Sequence, residues 1–266
     1  HFDYPSVGAT ENVMMAAVLV PGITTIHNPA REPEIVDLQN FINAMGGCVR
    51  GAGGHAIEIE GVSRLHGTEW TPMPDRIVAG TLLAAAAVTG GEITLTNAPE
   101  SDMVAVTAKL REMGCRIAEA PGRIALSAPQ RLTAFGQLQT QPHPGFPTDM
   151  QVQMLALLVV SEGTGVITEN VFENRFTHAG DLNRMGAHIL CTGRTAVVRG
   201  VRELYGARVT ARDLRGGAAL VLAGLKAHGE THVEHAELID RGYDHLERQL
   251  TELGANIRRV SGEATE

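Results

Sequence analysis

The sequence predicts an α/β fold built from several copies of one folding motif. Four segments have the pattern of a helix that ends in glycine and continues as an extended run, at 41–50, 110–117, 182–189 and 250–257. Spacings of 68, 72 and 68 residues separate their glycines, which are Gly46, Gly114, Gly186 and Gly254. A glycine just past a helix supplies the left-handed conformation that ends it. Such regular spacing indicates an internal repeat.

A second pattern recurs between these segments. It consists of an apolar helix, a glycine turn and a strand rich in threonine, isoleucine and valine, and its glycines are Gly22, Gly91, Gly163 and Gly229. Apolar residues at helical spacing bury one helix face, and runs of β-branched residues favour a sheet. Two extended stretches follow the helix that ends at Gly46, and Gly51–Gly54 forms the turn between them. Each copy therefore has the pattern βαβαββ over about 70 residues, and several copies must share one core.

Composition and charge limit the class of protein. Of the 266 residues, 44% are hydrophobic and 20% charged, as in ordinary globular domains. The net charge of −8, without a cluster of Lys and Arg, argues against a nucleic-acid partner. No apolar run is long enough to span a membrane. Three cysteines, too few for a disulfide framework, favour a cytoplasmic location and buried apolar roles; they are Cys48, Cys115 and Cys191.

Prolines at 72 and 74 interrupt extended sequence and indicate a domain boundary. We place it between residues 72 and 73. This boundary predicts a first domain segment at 1–72, with one copy of the repeat, and a second domain at 73–266.

Arginine recurs between a strand and the next helix in successive copies, as Arg175, Arg215 and Arg241. The start of a helix attracts anions through its free N–H groups, and an arginine there can clamp a phosphate or carboxylate with two hydrogen bonds. Each arginine could instead form only a surface ion pair beside a helix cap. Three comparable positions favour the anion site.

Two other predicted helix starts carry polar groups. Asp149 precedes the apolar helix predicted over 150–160, where it is either the N-cap or a general base close to the arginines. Ser6, Val7 and Gly8 offer a hydroxyl and free N–H groups to a diphosphate. His232 and His235 face opposite sides of a predicted strand, so we expect no metal.

At these residues the sequence resembles the enolpyruvyl transferases, and among them the UDP-N-acetylglucosamine 1-carboxyvinyltransferases. The resemblance covers essentially the whole chain, through motifs at 6–10, 31–37, 74–77, 146–151, 171–176, 213–215 and 240–243. It implies an inside-out α/β barrel fold, with two domains of three βαβαββ copies each and substrates bound between them. About four of the six copies are present, so 1–72 would be the last copy of the N-terminal domain and 73–266 the C-terminal domain.

The resemblance also implies an activity: transfer of the enolpyruvyl group of phosphoenolpyruvate to the 3′-hydroxyl of UDP-N-acetylglucosamine, with release of phosphate. This is the first committed step of peptidoglycan synthesis, which links it to cell-wall biogenesis, cell shape and cell division. It requires no cofactor. By resemblance, Asp149 deprotonates the hydroxyl, and Arg215 and Arg241 hold phosphoenolpyruvate with Arg175 nearby. Residues that would contact the nucleotide sugar are Ser6, Val7, Gly8, Val171 and Phe172.

Two differences from the family set further expectations. The family's N-terminal region, with a Lys-Asn pair and a cysteine loop that protonates the enol, has no counterpart, and Tyr4 stands where the family has lysine. We therefore expect the isolated chain to bind nucleotide sugar weakly without turnover, and to associate with itself or with a separate N-terminal segment. Two alternatives stay open: the shikimate-pathway enolpyruvyl transferase, and a non-catalytic nucleotide-sugar-binding module that needs a partner chain.

Overall fold

Each copy of the repeat folds as helices packed beside a small sheet. The computed structural model describes residues 1–260. Its helices are α1 Val7–Ala17, α2 Pro33–Ala44, α3 Arg76–Thr89, α4 Val104–Glu112, α5 Gln151–Val159, α6 Ala179–Arg184, α7 Leu214–Lys226 and α8 Leu246–Glu252. Its strands are β1 Ile23–His27, β2 Cys48–Arg50, β3 Ala56–Glu60, β4 Glu92–Thr96, β5 Arg116–Ala120, β6 Arg123–Ser127, β7 Gln137–Gln139, β8 Thr164–Thr168, β9 His188–Thr192, β10 Thr195–Arg199, β11 Arg208–Thr210 and β12 His232–Glu234. Short 3-10 turns lie at Glu100–Asp102, Thr148–Met150 and Ala236–Arg241.

The strands pair in the same order in successive copies. In the sheets β1-β3-β2 and β4-β6-β5, the last strand of the copy lies in the middle and pairs antiparallel with both neighbours. The third copy adds a parallel edge strand to give β7-β8-β10-β9, which completes the predicted βαβαββ pattern. In the fourth copy β11 and β12 form a parallel pair. Among residues 1–260 these ladders are separate sheets, and none closes into a barrel of hydrogen-bonded strands.

The glycines that define the repeat have the backbone conformation that the sequence predicts. Positive φ angles of 89, 95, 102 and 96° occur at Gly46, Gly114, Gly186 and Gly254. In the second set of glycines, the prediction of Gly91 is wrong, because the second copy turns at Gly90, with φ 74°. The prediction of a final strand in the fourth copy is also wrong. The extended run predicted after the helix that ends near Gly254 is not a strand within 255–260.

Helices form the interior of the larger compact unit, and sheets cover the outside. Every residue of α5 is fully buried, and this helix packs against α3 and α7. A helix that is buried on all sides is typical of a core position. The strands instead alternate: in β10, Ala196 and Val198 are fully buried, whereas Val197 is 39% exposed. This is the inside-out arrangement that the family resemblance implies.

The described chain divides into two compact units. One comprises His1–Asp75 with Gln141–Pro147, and the other comprises Arg76–Thr140 with the described chain from Thr148 onward. The first has its own apolar core, which includes Met14, Ile35, Ile42, Ile57 and Ile59. The assignment of 1–72 to an N-terminal domain and of 73–266 to a C-terminal domain stays a prediction.

The prediction that all three cysteines are buried is wrong for two of them. Cys115 is buried, Cys48 is half-buried and Cys191 is exposed. Cys191 lies on the same face of β9 as the buried Ile189, but β9 is an edge strand and Cys191 is near its end, where the core no longer covers it. Burial raises the pKa of the Cys115 thiol to about 11, which keeps this thiol protonated and unreactive at neutral pH. Of the helices between residues 1 and 260, none combines the length and the apolar character needed to cross a membrane.

Large apolar side chains stay exposed on the first unit between positions 15 and 23. Met15, Leu19, Val20 and Ile23 are 52, 54, 51 and 66% exposed, although the adjacent Met14 is fully buried. Exposed apolar side chains that form a contiguous patch favour association. We expect self-association of the chain to increase with concentration in sedimentation velocity, and the double change Met15→Lys with Leu19→Lys to reduce it.

The matched control for this prediction is Leu190→Lys. Leu190 is 68% exposed in β9 of the other unit, so a lysine is introduced at an exposed apolar site outside the first unit. It should leave the association unchanged. A wild-type chain that sediments as a monomer at high concentration would contradict the expectation.

Candidate functional site

Asp149 lies in the 3-10 turn Thr148–Met150, directly before α5. The N-cap interpretation of this residue is wrong, because the N-cap of α5 is Met150 and no side chain caps the helix. The Asp149 carboxylate binds two arginines instead. Its side chain is 36% exposed, so it is held at the surface of the helical core and is accessible to solvent.

Arg175 and Arg215 bind opposite oxygens of the Asp149 carboxylate. Nη2 of Arg175 donates to Oδ1 at 2.6 Å. Nε of Arg215 donates to Oδ2 at 3.2 Å, and its Nη2 lies 3.1 Å from the same oxygen. Two guanidinium charges against one carboxylate leave an excess positive charge, which favours an additional anion.

The start of α7 positions Arg215. Asp213 is the N-cap, and its Oδ1 accepts from the backbone N–H groups of Arg215 and Gly216 at 3.0 and 2.8 Å. The guanidinium carbon lies 5.2 Å from the centre of the Tyr243 ring, a cation–π distance. Burial opposes the charge of Arg215, but the Tyr243 oxygen and the Asp149 carboxylate outweigh it, so the pKa of Arg215 is raised. This residue stays cationic.

A buried hydrogen-bond network fixes the Tyr243 ring beneath Arg215. The hydroxyl of Tyr243 is 3.0 Å from Thr81 Oγ1 of α3, and Gln153 Nε2 of α5 donates to it at 3.2 Å. Tyr243 itself is only 2% exposed. Because side chains from two helices, α3 and α5, bind this hydroxyl, the arginine rests on a rigid support.

Arg175 belongs to the loop between β8 and α6. Its guanidinium carbon lies 5.1 Å from the centre of the Phe172 ring, which is 50% exposed. The half-buried Val171 and exposed Phe172 direct their backbone N–H groups to Glu169. This loop therefore brings an apolar exposed ring and a guanidinium group to one place.

The cluster has more donors than its own carboxylate accepts. Nε of Arg175 and Nη1 of Arg215 are buried and have no hydrogen-bond partner among residues 1–260. A buried donor without a partner costs about 1–3 kcal/mol. An anion that draws the two guanidinium groups toward itself would accept hydrogen bonds from these donors, which the Asp149 carboxylate does not bind.

Arg241 lies beside this cluster and not in it. Its side chain is exposed and makes no hydrogen bond or ion pair with the rest of the described chain. Its neighbour Gly242 approaches Arg215 closely, because a Cβ atom on Gly242 would lie 3.2 Å from Nη1 of Arg215. The end of the turn Ala236–Arg241 thus reaches Arg215, and the role of Arg241 stays a prediction.

Ser6, Val7 and Gly8 belong to the other compact unit, at the start of α1. Ser6 is the N-cap, and its Oγ accepts from the backbone N–H of Ala9 at 3.3 Å. All three residues are exposed, as a nucleotide-binding helix start requires. The helix start that the sequence predicts here is present, and the predicted diphosphate contact stays a prediction.

Sequence reasoning missed Glu169 and His178. Glu169 directly follows β8 and is 1% exposed, and His178 precedes α6 and is also 1% exposed. An acidic residue at the end of an apolar strand was the available signal for Glu169. For His178 no sequence signal existed, because its burial depends on the packing of distant segments.

His178 is a buried neutral histidine next to the arginine loop. Neither ring nitrogen has a hydrogen-bond partner among residues 1–260. Burial lowers the pKa of His178 to about 4; Asp213 opposes this decrease and Arg175 adds to it. In the unfolded chain, histidine has its ordinary pKa near ~6.5. The folded state therefore excludes a proton that the unfolded state binds as the pH falls from about 6.5 to about 4.

We expect acidification to destabilise the fold through His178. Between about pH 7.5 and about pH 5 the loss from this residue is about 2 kcal/mol, because only the unfolded state gains the proton over most of that range. Urea unfolding at the two pH values measures the loss, and the non-titrating variant His178→Leu should show a loss smaller by that amount. Equal losses in wild type and variant would contradict a buried neutral His178.

Comparison with known proteins now assigns the family. The family model described as EPSP synthase (3-phosphoshikimate 1-carboxyvinyltransferase) matches residues 1–250. The chain belongs to this family. Its members transfer an enolpyruvyl, or 1-carboxyvinyl, group, and the resemblance inferred from the motifs is confirmed.

Curated relatives of this EPSP synthase family member have a more specific name. A UDP-N-acetylglucosamine 1-carboxyvinyltransferase 1 of Symbiobacterium thermophilum is 58% identical over 260 residues, which are 98% of this chain and 59% of that protein. A UDP-N-acetylglucosamine 1-carboxyvinyltransferase 2 of Caldanaerobacter subterraneus subsp. tengcongensis is 53% identical over 98% of this chain and 62% of its own length. The chain thus spans about three fifths of the length of these relatives.

Solved structures confirm the fold of this family member. The enolpyruvyl transferase NikO from Streptomyces tendae has a TM-score of 0.82 at 26% identity, over 94% of this chain and 60% of that one. An EPSP synthase from Acinetobacter baumannii has a TM-score of 0.73 at 18% identity, over 97% of this chain and 62% of its own. The second likeness concerns the fold alone.

Proposed function

We propose that this chain contributes to an enzyme that transfers the enolpyruvyl group of phosphoenolpyruvate to the 3′-hydroxyl of UDP-N-acetylglucosamine. The observation that carries the proposal is the Asp149 carboxylate between Arg175 and Arg215. A general base and two guanidinium groups within hydrogen-bond distance are what this reaction requires at one place. Phosphoenolpyruvate brings both a phosphate and a carboxylate, and arginine matches each with paired hydrogen bonds.

The chemistry follows from these groups. Asp149 accepts the proton of the sugar hydroxyl, and the oxygen forms a bond to the substituted carbon of the enol while the methylene carbon gains a proton. The resulting tetrahedral intermediate is multiply anionic, and loss of phosphate with a proton restores the double bond in the product. Preorganised guanidinium groups stabilise such charge without reorganising. We assign the protonation of the methylene carbon to no residue of this chain.

Binding of phosphoenolpyruvate would also free the Asp149 carboxylate to act as a base. In the structure Arg215 and Arg175 occupy both oxygens of Asp149. A phosphate or carboxylate competes for the same guanidinium groups because it carries equal or greater charge. Binding of phosphoenolpyruvate would then turn the Asp149 carboxylate toward the sugar hydroxyl. Arg241 is exposed and adjoins Gly242, which lies close to Arg215 in space. It would therefore join Arg215 at the anion.

The nucleotide sugar is favoured over shikimate phosphate by the relatives. Two relatives that are 58 and 53% identical are named for UDP-N-acetylglucosamine. The EPSP synthase structure, at 18% identity, is evidence for the fold alone. Under this proposal Ser6, Val7 and Gly8 contact the uridine diphosphate, and Val171 and Phe172 line the sugar side. The proposal includes the first committed step of peptidoglycan synthesis and a cytoplasmic location, which three free cysteines support.

Calorimetric titration of the chain distinguishes the substrate classes. We expect weak saturable binding of UDP-N-acetylglucosamine that strengthens when phosphoenolpyruvate is present, because the two ligands share the Asp149 cluster. Shikimate 3-phosphate should give no saturable heat. Binding of shikimate 3-phosphate without a response to the UDP-sugar would support the shikimate alternative, and binding of neither ligand would contradict the proposal.

Catalysis is tested in a chimera. The region of the Symbiobacterium thermophilum relative that precedes its match is fused to this chain, and phosphate release is measured with both substrates. The chimera should turn over and the chain alone should not. Asp149→Asn should lower kcat by about 10²–10⁴-fold, because the amide cannot accept the hydroxyl proton.

The matched control for the chimera is Glu173→Gln. Glu173 lies in the same loop as Arg175, but its side chain is 79% exposed and pairs with Arg194 outside the cluster. This variant should keep its kcat. A chimera that releases no phosphate, or an Asp149→Asn chimera with wild-type turnover, would contradict the assigned chemistry.

A further inference from the structure

Glu169 is a buried carboxylate at the end of β8 that the reaction described above does not use. It is 1% exposed. Its Oε1 accepts from Thr140 Oγ1 at 2.7 Å, from the backbone N–H of Val171 at 2.8 Å and from that of Phe172 at 3.0 Å. Its Oε2 accepts from Thr148 Oγ1 at 2.9 Å. Four donors therefore converge on one side chain.

These donors come from separate segments of the same compact unit. Thr140 follows β7, Thr148 opens the turn that holds Asp149, and Val171 and Phe172 begin the loop that leads to Arg175. Thr140 is itself tied to the loop, because its Oγ1 accepts from the backbone N–H of Asn170 at 2.9 Å. Glu169 thus joins the two segments whose side chains form the Asp149–Arg175 ion pair.

Burial of this carboxylate is costly for a purely structural link. Residues 1–260 contain no cationic partner within ion-pair distance of Glu169; all four donors are neutral hydroxyl or amide groups. An ionised carboxylate removed from water without a counter-charge lowers stability unless hydrogen bonds compensate it fully. Costly polar groups that are fully hydrogen-bonded are typical of functional sites, where geometry matters more than stability.

We propose that Glu169 is a positioning residue that holds the Asp149 turn and the Val171–Phe172 loop in register with each other. The inference rests on the proposed function and names a residue that acts through Asp149 and through the sugar-contacting loop. Its importance follows from the sensitivity of catalysis to position, since a displacement of about 1 Å can cost about 10²-fold in rate.

Three substitutions separate geometry from charge. Glu169→Gln keeps the length and shape of the side chain and removes its charge. The Gln oxygen can accept the three hydrogen bonds made by Oε1, and the Gln amide can donate to the Thr148 hydroxyl. Glu169→Asp keeps the charge but shortens the side chain by one methylene, so it cannot reach all four donors. Glu169→Leu removes every acceptor. A positioning role predicts that Gln preserves function and that Asp and Leu lose it; a role of the charge predicts the reverse order for Gln and Asp.

Amide hydrogen exchange on the unliganded chain tests the inference without any ligand. Exchange of the Val171 and Phe172 amides, followed by NMR, should be at least about 10-fold faster in Glu169→Leu and Glu169→Asp, and within about 3-fold of wild type in Glu169→Gln. Unchanged exchange in Glu169→Leu would overturn the positioning role. Faster exchange in Glu169→Leu, together with a wild-type chain that binds no UDP-sugar, would instead reject the proposed function alone.

Kinetics in the chimera give the second measurement. Glu169→Leu and Glu169→Asp should lower kcat by about 10²-fold, with Glu169→Gln within about 3-fold of wild type. The control Ile124→Ala removes a fully buried side chain of β6 and lowers stability without touching this network. It should change the unfolding midpoint and leave kcat unchanged. Loss of kcat in Ile124→Ala in proportion to stability would show that Glu169 acts only through stability.

Discussion

The attraction between one carboxylate and two guanidinium groups organises this part of the molecule. Asp149, Arg175 and Arg215 come from three segments that are far apart in the chain, and their charged groups meet within 2.6–3.2 Å. In a partly buried position such attraction is stronger than on an open surface, because less water screens it. The excess of one positive charge favours an anion at this cluster.

The helical core beneath this cluster contains buried polar side chains as well as apolar ones. Besides apolar side chains, α5 brings Gln153 to the Tyr243 hydroxyl, and Thr81 of α3 meets the same group. Gln151 is fully buried, and neither of its amide atoms has a hydrogen-bond partner among residues 1–260. Polar groups inside a core lower stability unless they are satisfied. The polar groups around the Tyr243 hydroxyl are typical of a region in which rigid placement of function competes with stability.

Much of the fold could be predicted from the sequence because its signals are local. Gly46, Gly114, Gly186 and Gly254 each follow the end of a helix, and the β-branched runs after Gly22 and Gly163 form strands. Backbone conformation at these positions depends on the residue itself. The exposure of Cys191 could not be predicted. Cys191 shares a face of β9 with the buried Ile189, and how far along this edge strand the core extends depends on the packing of distant segments.

The sequence by itself determined the repeat, the family and the residue types of the candidate site. These depend on spacing and on the chemistry of single side chains. Only the tertiary structure decided that Asp149 is no helix cap, that Arg175 and Arg215 share its carboxylate while Arg241 lies beside them, and that Glu169 and Tyr243 support the site. The physical reason is that a carboxylate binds the nearest donors in space, and residues 66 positions apart become neighbours only when the helices pack.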